Sequence, residues 1–471
     1  MDNNSGINIM FNKNIFLVVS VFSLLTGCSG GSGNSSNNEV TEPSPPAFES
    51  PHPTNWASST PAESGFDEAL LDAAFDYAMT DGFLTQAALI IKDGKLVKED
   101  YRGITSTEAQ ALADQATPSS PPNAQLPSYW TDIYGVRDVE STVTSWSSAK
   151  SFTSMLIGIA IAQGHIDSVE QPASDFITEW ASDDRQNITI KQILDMRSGL
   201  VPICLNPSTL RLDECTNPFD GAAGGNIVFS DDQLEACIAR PLATPGPVAW
   251  TFTGTYTAGE FLYSNCDTQV LGEILFRATS QDPGLYAQTQ LFEPLNISAD
   301  WWRDNIEDGQ ANGNYLTYCC LDSTARDFAK FGYMLLLGGI QTAEGAQYAS
   351  YVERILSLEE VYRNQFWGYC ADGTRPISPD CEHILISTVG FDGQFILVDP
   401  MNQLVVVRNG LYQPFLNISD ERKMRIIPSS IETSNWTGSL PRAMSLQPIS
   451  NPTFDIVEFH RRIAQALTSS N

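Results

Sequence analysis

Ser145-Trp146-Ser147-Ser148-Ala149-Lys150 runs directly into Ser151-Phe152-Thr153-Ser154-Met155-Leu156-Ile157-Gly158-Ile159-Ala160. Small hydroxyl residues followed at once by an apolar run mark the start of a helix. Lys150 then falls one turn after Ser147 on the same face. At that end the helix dipole favours an alkoxide and disfavours a charged lysine. A lysine with a lowered pKa can take the proton of a serine and turn a weak nucleophile into a strong one. The spacing is the S-x-x-K of serine acyl transfer. Lysine is scarce here, and no lysine except Lys150 has a serine three residues before it. The competing reading is a capped helix whose lysine points to solvent, and the hexapeptide alone leaves both open.

Working outward, the chain has 471 residues, 42% hydrophobic and 10% aromatic, enough for a sizeable core. Lys+Arg number 26 against 56 Asp+Glu, a formal net charge of -30. Such a surface repels nucleic acid and anionic headgroups. The acids are spread along the chain, which suits solvation, although cationic substrates would also be attracted. Lys13 followed by the apolar Ile15–Leu25 and then Leu25-Thr26-Gly27-Cys28 reads as a signal peptide. Leu-Thr-Gly-Cys resembles the bacterial lipobox, which implies a lipidated Cys28 and, with Ser29 next, an outer-membrane lipoprotein; ordinary secretion is the alternative. Residues 29–61, rich in Gly, Ser, Asn and Pro, read as a disordered tether, leaving 62–471 as the domain. Eight cysteines remain beyond Cys28, an even number that invites disulfides in an exported chain. Cys204 with Cys215 and Cys370 with Cys381 are the expected local pairs. No Cys/His spacing suggests a metal site, and no cofactor is called for.

The chain has strand character at both ends and helical character between. Residues 63–80 have helical spacing, and Ala87–Ile91 and Leu96–Glu99 flank an Asp93-Gly94 turn as a hairpin. Residues 104–144 read as irregular and polar. The helix from Ser147 should end near Gly164. Another begins near Ile188, and a third covers Thr324–Leu337. Ile384–Thr388, Gln394–Val398 and Gln403–Arg408 read as strands, and Phe454–Leu467 as a closing helix. The expected fold class is α+β: one antiparallel sheet with flanking terminal helices (about 62–140 and 365–471) plus an inserted helical lobe (about 145–360), with the nucleophile at their junction.

Two further stretches complete a constellation. In Tyr263-Ser264-Asn265 the tyrosine suits a base or proton shuttle, and the asparagine amide suits an acyl substrate or the lysine. Gly390-Phe391-Asp392-Gly393 lies between two strands, where a backbone amide can join that of Ser147 in an oxyanion hole. Taken alone, each reads more readily as a turn. Together, in chain order, Ser147-Ser148-Ala149-Lys150, Ile188–Leu200, Tyr263-Ser264-Asn265, Ser323–Asp327 and the tail Gly393–Val407 resemble the serine β-lactamase and penicillin-binding-protein superfamily. The resemblance is to its class C-like branch, with esterases, D-amino-acid peptidases and nylon-oligomer hydrolases, and covers about residues 61–471.

The resemblance implies a serine hydrolase that cleaves an ester or amide through an acyl-enzyme on Ser147. Lys150 and Tyr263 would share the proton work, and Asn265 would orient substrate and lysine. The amide of Phe391, after Gly390, would be the second oxyanion donor, and Asp392 would lie close enough to the pocket to suit a substrate amine. β-Lactamases carry Lys-Thr-Gly where this chain has Thr388-Val389-Gly390. The missing lysine favours an esterase or amidase over a β-lactamase or D,D-peptidase. The alternative of another class is a catalytically idle cell-surface binder, which has no need of serine, lysine and tyrosine together. The expected partner is a small ester or amide, with no nucleic acid and only a lipid anchor at the membrane.

Overall fold

A computed structural model of the chain describes residues 50–116, 123–201, 232–242, 259–307, 310–374, 380–411 and 452–468, with residues 227, 230, 377, 449 and 450. Cys28, Cys204 and Cys215 lie outside them, so the lipidation site and the expected 204–215 pair do too.

Helix α1 (Glu68–Ala78) is capped by the Asp67 carboxylate, which accepts from the Leu70 amide. The hairpin follows as β1 (Thr85–Lys92) and β2 (Lys95–Tyr101). The described parts of 104–144 are more ordered than their polarity predicts. They hold α2 (Ser106–Asp114), α3 (Pro127–Tyr134) and the short β3 (Thr142–Thr144). A reciprocal capping box between Thr105 and Glu108 starts α2, and its T-x-x-E pattern is visible in the sequence. After a single 3-10 turn at Trp146–Ser148 comes α4 (Ala149–Ala162), with Gly164 in the left-handed region just past its end.

The helical lobe continues with α5 (Ile190–Leu194), α6 (Gln233–Ile238), α7 (Asn265–Thr279), α8 (Pro283–Ala287) and α9 (Glu293–Leu295). Then come β4 (Ala299–Trp301), β5 (Arg303–Glu307), β6 (Gln310–Tyr315) and β7 (Leu321–Thr324), and α10 (Ala325–Leu336). A small hairpin, β8 (Ile340–Thr342) and β9 (Gly345–Gln347), leads to α11 (Ala349–Leu356). The chain returns to strand in β10 (Tyr362–Arg363), β11 (Phe366–Cys370), β12 (Ile384–Gly390), β13 (Gln394–Asp399) and β14 (Leu404–Gly410). It closes in α12 (Ile456–Ala466).

The seven-stranded sheet has the order β10-β11-β12-β13-β14-β1-β2, every pair antiparallel. The N-terminal hairpin therefore closes against β14, the last strand among the described residues, as the strand character at both ends predicts. Alternation divides the side chains between two cores. Ala88, Ile90, Leu397, Leu404 and Val406 face α1 and α12, where Phe75 meets Phe459 edge-on. Leu89, Ile91, Ile396, Val398, Val405 and Val407 face the larger core with α4 and α10. A sheet covered on both faces explains why these strands read as unbroken apolar runs.

The tether is shorter than expected. From Ser50 onward the chain already packs: Trp56 is buried, its indole donates to the Arg326 carbonyl, and the Ser59 amide donates to Leu96. Of the cysteine pairs, Cys370–Cys381 forms as expected; Cys237–Cys266 and the adjacent Cys319–Cys320 were not anticipated.

Candidate active site

Between Val143 and Ala160 every residue is buried except Ser147. The cause lies just before it. Trp146 takes φ +45°, a left-handed conformation that costs a bulky residue of order 1–3 kcal/mol, and so turns the chain sharply enough to expose one hydroxyl. The turn is held from both sides. Ser145 exchanges bonds with Leu321, its amide donating to Leu321 O at 2.8 Å and its hydroxyl accepting from Leu321 N at 3.0 Å. The Cys320 amide donates to Trp146 O at 3.2 Å, and the Ser148 hydroxyl donates to Gln394 O at 3.2 Å.

Lys150, in the first turn of α4, is buried and points back at Ser147. Its Nζ lies 3.1 Å from Ser147 Oγ, 2.7 Å from Asn265 Oδ1 and 2.7 Å from the carbonyl of Tyr318. Asn265 opens α7, so a second helix start aims a side chain at the first. The Lys150 amine also lies 5.0 Å from the Tyr263 ring centre and 5.4 Å from that of Tyr318. Burial pulls Lys150 well below its ordinary 10.5. Burial pushes the Tyr263 phenol up from its ordinary 10.0, while a side-chain hydrogen bond with Ser147 pulls it partly back. Three segments more than fifty residues apart, carrying Ser147 with Lys150, Tyr263 with Asn265, and Tyr318, thus meet around the Ser147 hydroxyl and the Lys150 amine.

The end of β12 closes the site. A Cβ at Gly390 would stand 2.1 Å from the Ser145 carbonyl, so only glycine lets the strand approach the nucleophile turn this closely. That contact brings Phe391, itself 60% exposed, beside Trp146, ring centres 6.4 Å apart. Asp392 is partly exposed, and its Oδ2 accepts from the Trp146 indole at 3.0 Å, so this carboxylate supports the nucleophile turn directly. Thr388, where a lysine would stand in Lys-Thr-Gly, is buried and its hydroxyl accepts from the Ile396 amide.

Every site residue expected from the sequence, Cys28 aside, is therefore at one place. Four others were missed. Tyr318 acts through its carbonyl, which no side-chain pattern signals. Arg408 is buried in β14 and ties the carbonyls of Asp392 and Gly393 to Thr85 in β1; an arginine in an otherwise apolar strand was the available signal. The adjacent Cys319 and Cys320 were visible as a pair. Among the described residues no group of His, Cys, Asp and Glu could hold a metal ion.

On comparison with known proteins, the Beta-lactamase family model matches residues 71–409. The chain is similar to the 6-aminohexanoate-dimer hydrolase of Paenarthrobacter ureafaciens, 26% identical over 270 residues, which are 56% of this chain and 64% of that protein. It therefore spans less than two thirds of that relative. Among solved structures it is similar to a class C beta lactamase from Rhodobacter sphaeroides, with 15% identity, a TM-score of 0.47, and 76% of this chain and 97% of that one covered. A D-stereospecific amidohydrolase from Streptomyces sp. gives 13% identity, a TM-score of 0.45 and coverages of 73% and 94%. The family model takes in well over half of the chain, from α1 to β14 and through all three site segments, and the chain belongs to the Beta-lactamase family.

Proposed function

We propose that this enzyme hydrolyses a small ester or amide through an acyl-enzyme on Ser147, with Lys150 as the base. The observation that carries the reading is the hydrogen-bonding of Lys150. A neutral amine has two N–H donors and one lone pair. Asn265 Oδ1 and Tyr318 O can only accept, and each stands at 2.7 Å. They take both N–H bonds and leave the lone pair facing the Ser147 hydroxyl at 3.1 Å. Burial favours that neutral form. Tyr263, pushed the other way, stays protonated and suits delivery of a proton to the leaving group. Ser147 attacks the carbonyl carbon, and its proton passes to Lys150. The amides of Ser147 and Phe391 would hold the oxyanion, a contribution of roughly 3–4 kcal/mol per donor in comparable holes. Water then attacks the acyl group and regenerates the serine.

Thr388 offers no cation to a substrate carboxylate, which favours an ester or simple amide over a β-lactam or D,D-peptide. The exposed ring of Phe391, beside Trp146, favours apolar groups next to the reacting bond. The test is Ser147→Ala on nitrophenyl acetate, together with fluorophosphonate labelling read by mass. Activity and labelling should both vanish; a variant that still turns over the ester refutes the reading. Nitrocefin turnover by the wild type at a comparable rate would move the assignment to a β-lactamase.

Export as a lipoprotein anchored at Cys28, toward the outer membrane, belongs to the same proposal. Three disulfides among the described residues suit an oxidising compartment. Loss of fatty-acid incorporation in Cys28→Ala is the expected result, and unchanged incorporation defeats it.

A further inference from the structure

The two acceptors of Lys150 share a feature. Asn265 is followed immediately by Cys266, bridged to Cys237, and Tyr318 by Cys319, bridged to Cys320. All four cysteines are buried. The Cys237–Cys266 bridge ties α6 to the first turn of α7, the turn from which Asn265 reaches the lysine. One turn earlier on α6, Gln233 Oε1 accepts the hydroxyl of Tyr318 at 2.8 Å. A single short helix therefore holds both acceptor-bearing segments, one by a covalent bond and one by a hydrogen bond.

The Cys319–Cys320 pair fixes the second acceptor. Cys320 stands at φ +68°, where an ordinary side chain is strained. Each backbone polar group of the pair is engaged. Cys319 N donates to Leu316 O and Cys320 N to Trp146 O, while Cys319 O accepts from the Trp301 indole and Cys320 O from the Trp302 amide. The small ring closed through the 319–320 peptide bond keeps Cys320 in this conformation. It thereby keeps the Tyr318 carbonyl on Lys150 and the Cys320 amide on the nucleophile turn.

We propose that the Cys237–Cys266 and Cys319–Cys320 disulfides are positioning devices for Lys150, holding the two acceptors that aim its lone pair at Ser147. Acyl transfer then depends on both bridges beyond what they add to stability. The inference rests on Lys150 as the base. Cys370–Cys381 joins the end of β11 to the segment before β12 and supplies the control: a bridge of the same kind that touches neither acceptor.

The experiment compares C237A/C266A, C319A/C320A, C319G/C320G and C370A/C381A in the purified chain, reading kcat and KM on nitrophenyl acetate against pH, and Tm. The two alanine pairs beside the site should lose about tenfold to 10²-fold in kcat, as misplaced catalytic groups do, with KM little changed and the rising limb of the pH profile displaced. C319G/C320G should recover part of the loss, since glycine takes a positive φ freely. C370A/C381A should lower Tm and leave kcat and the pH profile alone. Wild-type kcat and pH profile in C237A/C266A and in either 319/320 pair would overturn the proposal, as would an equal loss in C370A/C381A. Should C319A/C320A not fold, the glycine pair and C237A/C266A decide by the same criteria. Lys150→Ala separates the two levels: if it stays active, the base reading itself fails; if it is inactive while the bridge variants behave as wild type, only the positioning role fails.

Discussion

Lys150 and Tyr263 sit within reach of the same hydroxyl, yet burial drives them in opposite directions, because one is charged when protonated and the other when deprotonated. Esterase activity should accordingly rise with pH through a midpoint well below 10.5 and reach its plateau without any phenolate. Between that midpoint and 10.5 the unfolded chain binds a proton at this lysine that the native state does not. The lysine's contribution to stability therefore rises with pH across the window. Lys150→Arg should be inactive at every pH, since a guanidinium cannot be deprotonated. Tyr263→Phe should cost about 10²–10⁴-fold in kcat, the usual range for a lost acid–base group. A pH–rate profile of wild type and both variants checks all of this; an active Lys150→Arg would assign the base elsewhere.

At the scale of elements, β7 connects the site to the scaffold. It pairs with β3 just before the nucleophile turn, Thr144 lying opposite Asp322. Burial pushes the Asp322 carboxyl up to about 7, with hydrogen bonds from Trp302 and Thr144 pulling partly back. Between its ordinary 3.8 and about 7, the native state binds the extra proton, so this group's contribution to stability falls as pH rises through that window and stays low above it. Asp322→Asn removes the ionisation, with each pKa unit worth about 1.4 kcal/mol. The variant should match wild-type Tm near pH 4 and exceed it at pH 8; thermal melts at the two pH values decide, and an equal Tm difference at both would exclude the titration.

Across the whole molecule, the sheet lobe is latched by one buried carboxylate. Asp399 ends β13 and accepts from His383 Nε2, just before β12, and from His460 Nε2 in α12, each at 2.7 Å. Burial alone would raise it; the hydrogen bond and charge of His460, with bonds from Asn402 and His383, hold it well below the usual carboxylate range. The stability it contributes is present above its ordinary 3.8 and is lost only as pH falls through that depressed value, in strong acid. His460→Ala takes away one of two imidazoles from a carboxylate that stays buried. It should cost about 1–3 kcal/mol, the range for leaving a buried polar group short of a hydrogen-bond partner. The site lies on the other face of the sheet, so kcat at 25 °C should hold while Tm drops; denaturant melts and kinetics on one preparation test the pair of outcomes.

Local chemistry made much of this protein readable in advance. Apolar periodicity and turn residues located the hairpin, the three C-terminal strands and the helices at Ser147, Thr324 and Phe454, because those signals act within a few residues. Side-chain motifs likewise marked Ser147, Lys150, Tyr263 and Asn265, since their order and spacing along the chain resemble those of a known hydrolase family. The order in the described parts of 104–144 and the packing of residues 50–61 were less legible, as polar or Pro-rich stretches reveal little about what they dock against. The convergence itself came only from tertiary structure. A backbone carbonyl such as that of Tyr318 is common to every residue, and only its placement at 2.7 Å from a buried amine makes it functional. The same holds for Cys237 with Cys266: bridging needs two sulfurs brought side by side, and the 29 residues between them say nothing of that distance.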